Sequence, residues 1–146
     1  MRARQHLLYG ATTLIILELI TGIFWLICSL RVQAGVLTGE NSLLKIFCSG
    51  LYCANLFRTV WVYGAKGNAG GLGGALLTVA LPFLGLLGPS MDGVLSYTIA
   101  PYLPLLDAVT LRTLPQWCAG LAVLLALTAG VWLFAGRRHR GKAAKV

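Results

Sequence analysis

Residues 7–30 have the sequence LLYGATTLIILELITGIFWLICSL, and this run decides the class of the protein. A helix needs about 20 apolar residues to cross a hydrocarbon core of about 30 Å, so the run is long enough to span a membrane. Over all 146 residues, 58% are hydrophobic and 11% are charged. That composition leaves too little polar surface to cover a soluble globule. We therefore expect an integral membrane protein.

Three further runs are apolar enough to be considered as spans. The four predicted spans are residues 7–30, 42–63, 71–88 and 116–135. Asn55 and Arg58 interrupt the second, and Pro82 predicts a kink in the third. The sequence thus predicts an all-α fold with a single domain, a bundle of four transmembrane helices followed by a basic tail over residues 137–146.

The stretch between the third and fourth spans, Ser90 to Leu114, is apolar but broken. Pro101, Pro104 and Asp107 divide it into pieces of one or two helical turns. Pieces of that length suit an interfacial or re-entrant segment better than a membrane crossing. We expect a long loop on the membrane surface, with a re-entrant path as the alternative.

Charge predicts the orientation, because loops on the inner side of a membrane are enriched in Lys and Arg. If four helices alternate, nine basic residues fall on one side and three on the other. The nine are Arg2, Arg4, Arg58, Lys66, Arg137, Arg138, Arg140, Lys142 and Lys145, and the three are Arg31, Lys45 and Arg112. Both termini are predicted to face the cytoplasm, or the matrix or stroma of an organelle. The basic N-terminus is compatible with the mitochondrial inner membrane, among others.

Glu18 is the only carboxylate inside a predicted span. A charge at that depth is unfavourable unless it is paired, protonated or facing water. The second span carries a polar stripe of Cys48, Tyr52, Asn55 and Thr59, with Arg58 at its edge. Helical rise places Glu18 and Tyr52 both at about 16 Å from the inner boundary. We predict an intramembrane polar cluster of Glu18, Tyr52, Asn55, Arg58 and Thr59. It would hold helices together as a polar clasp or, alternatively, exchange a proton or cation.

Glycines lead into the third span. Gly67 with Gly71, and Gly70 with Gly74, each have the G-x-x-x-G spacing that lets helix backbones approach closely. We predict that this span packs against another helix. The alternative is a loop, since residues 64–74 contain six glycines.

We find no residue pattern typical of a metal ion, cofactor or catalytic centre, and expect no cofactor. The four cysteines lack the C-x-x-C spacing; packing is the expected role of Cys28, Cys48 and Cys118, with an outer disulfide as the alternative. The tail is predicted to contact lipid headgroups or an acidic partner rather than nucleic acid, through Arg137, Arg138, Arg140 and Lys142.

The function expected first is that of a non-catalytic accessory subunit of a larger membrane complex, for instance in an energy-transducing membrane. Its partners would be membrane lipids and other subunits, with a homo-oligomer as the alternative. A small proton-coupled transporter or channel that uses Glu18 is the second interpretation. A membrane enzyme with a lipid-soluble substrate near Tyr52 and Arg58 is the third.

Overall fold

The computed structural model describes residues 2–27, 30–33, 36–87, 92–111 and 113–143, and this part of the chain is predominantly helical. Its α-helices are α1 Arg2–Ile27, α2 Leu43–Ala65, α3 Ala69–Ala80, α4 Asp92–Ile99, α5 Leu103–Ala108 and α6 Leu114–Ala143. A 3₁₀ helix, Leu81–Leu87, continues α3. A short antiparallel hairpin of β1 Arg31–Gln33 and β2 Val36–Thr38 connects α1 to α2.

Two of these helices are long and apolar enough to cross a membrane, Ala3–Ile27 within α1 and Leu114–His139 within α6. They correspond to the first and fourth predicted spans. The helix α2 has 23 residues but is interrupted by Lys45 and Arg58, and the apolar helix Ala69–Leu84 is shorter. The bundle of four spans therefore stays a prediction.

The third predicted span changes its helix type near Pro82. The α-helix ends at Ala80, and the chain continues as a 3₁₀ helix. Proline has no N–H to donate to the carbonyl four residues earlier, and its ring crowds that carbonyl, so an α-helix is broken here. The last residue of the predicted span, Gly88, lies outside the described residues.

The helix α3 lies at the centre of the bundle, in contact with α1, α2 and α6. Ala75 and Val79 of α3 are fully buried, as are Leu56 and Val60 of α2. The bundle thus has one continuous core.

The segment expected on the membrane surface is instead packed into the protein. Ile99, Ala100 and Leu103 are fully buried. The Ser49 hydroxyl of α2 donates a hydrogen bond to the Pro101 carbonyl, and α5 also contacts α2. The apolar side chains of α4 and α5 need cover, and the neighbouring helices provide it.

Apolar side chains cover much of the exterior as well as the core. Large apolar side chains point outward, among them Leu26 at 77% exposure and Leu43 at 85%. Buried threonines lie inside, and each donates a hydrogen bond to the carbonyl four residues earlier on its own helix. These are Thr13, Thr21, Thr78, Thr98 and Thr128, at 2.8, 2.9, 3.1, 2.8 and 2.7 Å.

Charge is also distributed unevenly along the bundle. The start of α1, the α2–α3 connection and the last turns of α6 meet at one end, where His6 contacts Asn68 and Arg138 lies 6.0 Å from the Trp61 ring. This basic end carries the exposed residues Arg4, Lys66, Arg137 and Arg138. The opposite end is mixed, with Glu40, Lys45 and Asp107.

Candidate functional site

Glu18 lies on α1, half-buried against α4. Its carboxylate oxygen Oε1 is buried and has no hydrogen-bond partner among the described residues. Tyr97 of α4 donates a hydrogen bond to the Glu18 backbone carbonyl at 3.0 Å. One turn further along α1, a Cβ at Gly22 would lie 3.2 Å from the Tyr97 hydroxyl oxygen. Gly22 therefore lets α4 approach α1 beside the acid.

Tyr52 of α2 lies on the inner side of this contact and is only 4% exposed. Its hydroxyl is 3.5 Å from the Thr21 hydroxyl, and its ring meets the edge of the Tyr102 ring at 5.6 Å between centroids. Tyr102 is 3% exposed, so the two phenol rings are buried against each other. These residues are connected by the Tyr97 bond to the Glu18 carbonyl and by the contacts of Tyr52 with Thr21 and Tyr102. We call Glu18, Thr21 and these three tyrosines the Glu18 cluster.

The structure thus brings one of the predicted partners, Tyr52, to Glu18, and directs two others elsewhere. Asn55 and Arg58 are exposed, and Thr59 is half-buried. The buried stripe of α2 is Ser49, Tyr52, Leu56, Val60 and Gly64, which differs from the polar stripe that the sequence suggested. Only Tyr52 belongs to both stripes.

Tyr97 and Tyr102 are the members that sequence reasoning missed. They lie in and beside α4, in the segment expected on the membrane surface. A signal was present, since a tyrosine in an apolar segment tends to find a polar partner when buried. Chemically, a carboxyl group beside phenol hydroxyls can exchange hydrogen bonds and a proton with them. Among the described residues no group of three His, Cys, Asp or Glu could hold a metal ion.

The outward side of α2 forms a second candidate site. Asn55 and Arg58 lie there between the exposed residues Leu51 and Val62. Lys45 and Lys66 are 21 residues apart, or about 32 Å along the helix, close to the thickness of a hydrocarbon core. Asn55 is 10 residues from one lysine and 11 from the other. We call Leu51, Asn55, Arg58 and Val62 the α2 outer face.

The predicted glycines divide between a helix contact and a turn. A Cβ at Gly70 would overlap the carbonyl oxygen of His6, and one at Gly74 would overlap that of Gly10, so α3 crosses α1 backbone to backbone. Gly71 lies under the Tyr63 ring.

Gly67 has φ +65° and nothing within 4 Å of a Cβ built on it. It ends α2 in a Schellman motif: its own N–H donates to the Gly64 carbonyl at 3.1 Å, and that of Asn68 donates to the Tyr63 carbonyl at 2.8 Å.

Asn68 then begins α3 and ties it to α1. Its Oδ1 accepts from the Gly71 N–H at 3.2 Å, which identifies that atom as the oxygen. His6 Nδ1, 2.9 Å from the same oxygen, must therefore carry a proton and donate. In the tail, Arg137 and Arg138 are exposed, and the side chains of Arg140 and Lys142 lie outside the described part.

Cysteine and cavity geometry add two observations. Cys48 and Cys118 are free thiols, and Cys28 lies outside the described residues. The cavity bordered by Pro82, Ile99 and Trp117 has a volume of about 10 Å³, too small for an organic substrate.

No family model matches this chain, and no curated protein or solved structure matches it either.

Proposed function

We propose that this chain is an integral membrane protein that acts as a non-catalytic subunit of a larger membrane assembly. Membrane insertion is supported by the two long apolar helices and by an exterior that carries large apolar side chains over a core containing threonines. Lipid satisfies such an exterior, whereas water does not.

The observation that supports the proposed assembly is the exposed amide of Asn55, midway along α2. An amide facing hydrocarbon loses its hydrogen bonds to water and is unfavourable unless another group replaces them. A helix of a neighbouring subunit supplies such groups, and polar side chains hold membrane helices together in this way. Asn55 is therefore expected at a protein contact.

Arg58 contributes less to this argument. It lies eight residues from Lys66, or about 12 Å along the helix, and its long side chain can extend toward the headgroups at the basic end. The short side chain of Asn55 has no such route.

The test replaces Asn55 by Leu. We expect the assembly to dissociate about fivefold more readily, because an interhelical hydrogen bond contributes about 1 kcal/mol. Native electrophoresis in a mild detergent, with mass spectrometry of the co-migrating chains, measures this. Asn55→Gln should retain most of the assembly, and Leu127→Ala, an exposed change on α6, should leave it intact.

An assembly of unchanged size and stability in Asn55→Leu would refute the proposed contact. A complex made only of this chain would favour the second candidate function, a small proton-coupled transporter. The observation behind that candidate is Glu18, whose buried Oε1 has no hydrogen-bond partner among the described residues. Ionisable groups inside membrane helices frequently mark proton pathways.

Glu18→Gln separates the two functions, because the amide keeps the shape of the side chain and cannot ionise. In liposomes with an enclosed pH-sensitive dye, the subunit proposal expects no proton flux from the intact protein. It also expects Glu18→Gln to assemble normally and Glu18→Leu to loosen the assembly. Glu40→Gln, a change at the end of the bundle opposite the basic end, is the control. Flux that disappears in Glu18→Gln and persists in Glu40→Gln would overturn the subunit proposal.

A further inference from the structure

A cluster of cations and aromatic rings lies where α2 and α6 meet at the basic end. Arg138 of α6 lies over the Trp61 ring of α2, with its guanidinium carbon 6.0 Å from the ring centroid. The Phe134 ring, one turn before Arg138, packs against the same indole at 5.9 Å between centroids. Arg58 precedes Trp61 by three residues and Arg137 follows Phe134 by three, so each lies beside that ring on its own helix. We call these five residues the Trp61 patch.

The positive charge of this patch is not balanced by acids on the helices that carry it. All three arginines are exposed. The four acids of the chain are Glu18, Glu40, Asp92 and Asp107, and none belongs to α2 or α6. Glu40 and Asp107 lie at the opposite end of the bundle. The patch therefore favours an anionic partner from outside the chain.

The surface beside these cations is apolar. Val62, Leu133 and Phe134 are all exposed there. The long apolar stretch of α6, Leu114–His139, ends among the arginines, so a bilayer crossed by α6 has its headgroups at their level. An anionic phospholipid complements both features, since its phosphate pairs with guanidinium groups and its acyl chains cover the apolar side chains. An acidic protein segment would complement the cations alone.

We propose that the Trp61 patch binds the headgroup of an anionic phospholipid, with the lipid phosphate held by Arg58, Arg137 and Arg138. Trp61 is a positioning residue, because its ring holds Arg138 at the site. The site goes beyond the assembly proposal. It rests on the membrane insertion of α6 and not on a partner contact at Asn55, so Asn55→Leu should leave lipid binding unchanged.

The first experiment measures headgroup preference. The full chain is delipidated in a non-ionic detergent and incubated with equal amounts of phosphatidylglycerol and phosphatidylcholine, and retained lipid is counted by native mass spectrometry. We expect phosphatidylglycerol to be preferred at least about tenfold, because each arginine near a membrane surface contributes about fivefold. Arg58→Gln and Arg138→Gln should each lower the preference about fivefold. Arg4→Gln, which removes an exposed cation of α1 at the same end, should change it little.

The second experiment tests the role of the indole without removing a charge. A cation over an exposed aromatic ring is stabilised by a factor of about two to five. Trp61→Leu should therefore lower the preference for phosphatidylglycerol by a similar factor. Trp61→Phe retains a ring under Arg138 and should keep most of the preference.

A third measurement distinguishes a lipid from an acidic segment of a protein. Hexaglutamate carries several carboxylates and has no acyl chain to cover the apolar side chains. Added in equimolar amount to the protein with its retained lipid, it should not displace phosphatidylglycerol. Inorganic phosphate at the same concentration should not displace it either.

Four results would overturn the site. They are equal retention of the two lipids, a preference that survives Arg138→Gln or Trp61→Leu, a preference lost equally in Arg4→Gln, and displacement of the lipid by hexaglutamate. The third would assign the preference to the general charge of the surface, and the fourth would identify an acidic partner. None of these outcomes bears on the partner contact at Asn55, so the two proposals can fail independently.

Discussion

At the scale of single residues, glycines set the distance between α1 and α3, because each has a hydrogen atom where other residues have a side chain. The groups that a Cβ at Gly70 or Gly74 would meet are backbone carbonyls of α1, which cannot rotate away. Gly73 lies on the same helix with nothing within 4 Å of its Cβ position. The G-x-x-x-G spacing indicated the close contact, but the identity of the partner helix came only from the fold.

We predict that Gly74→Ala destabilises the protein by about 1–3 kcal/mol, because overpacking forces the two backbones apart. Gly73→Ala is the matched control and should be neutral or slightly stabilising, since Ala is a better helix former than Gly. Unfolding of the purified protein in increasing sodium dodecyl sulfate, followed by circular dichroism, measures both. Equal stability of the two variants would contradict the backbone contact.

At the scale of elements, short sequence pieces were harder to place than long ones. The break in the third span was predictable from Pro82, since the chemistry of proline acts locally. The positions of α4 and α5 were not, although Pro101 and Pro104 correctly indicated pieces of one or two turns. Where such pieces pack depends on distant residues, as the Ser49 bond to Pro101 shows. Tyr97 and Tyr102 reach the Glu18 cluster only through that packing.

The two faces of α2 show the same limit. Its polar residues suggested a single inward stripe, but the structure buries Tyr52 and exposes Asn55 and Arg58. Residues three positions apart on a helix differ by about 60° in direction, so a stripe several residues wide can be divided between inside and outside. Which residues of the stripe face inward depends on which neighbours surround the helix.

At the scale of the whole molecule, the described cations are concentrated at one end. The start of α1 and the last turns of α6 both contact the α2–α3 region at that end. With the positive-inside rule, this supports the prediction that both termini face the inner compartment.

The measurement is protease access to a tag at each terminus in sealed, right-side-out vesicles. We expect both tags to be protected until detergent opens the vesicles. Removing only one of them before detergent is added would contradict an even number of crossings. A soluble marker protein enclosed in the same vesicles is the control, and it should remain protected until the detergent is added.

The sequence by itself determined the helical class, the two longest apolar helices, the proline break and the excess of basic residues at the chain ends. These features depend on composition and on neighbours within a few residues, where hydropathy, backbone chemistry and charge act locally. Only the tertiary structure decided which residues surround Glu18 and which polar side chains of α2 point outward. Those features depend on the rotation of each helix about its axis, which is fixed by packing between residues far apart in the chain.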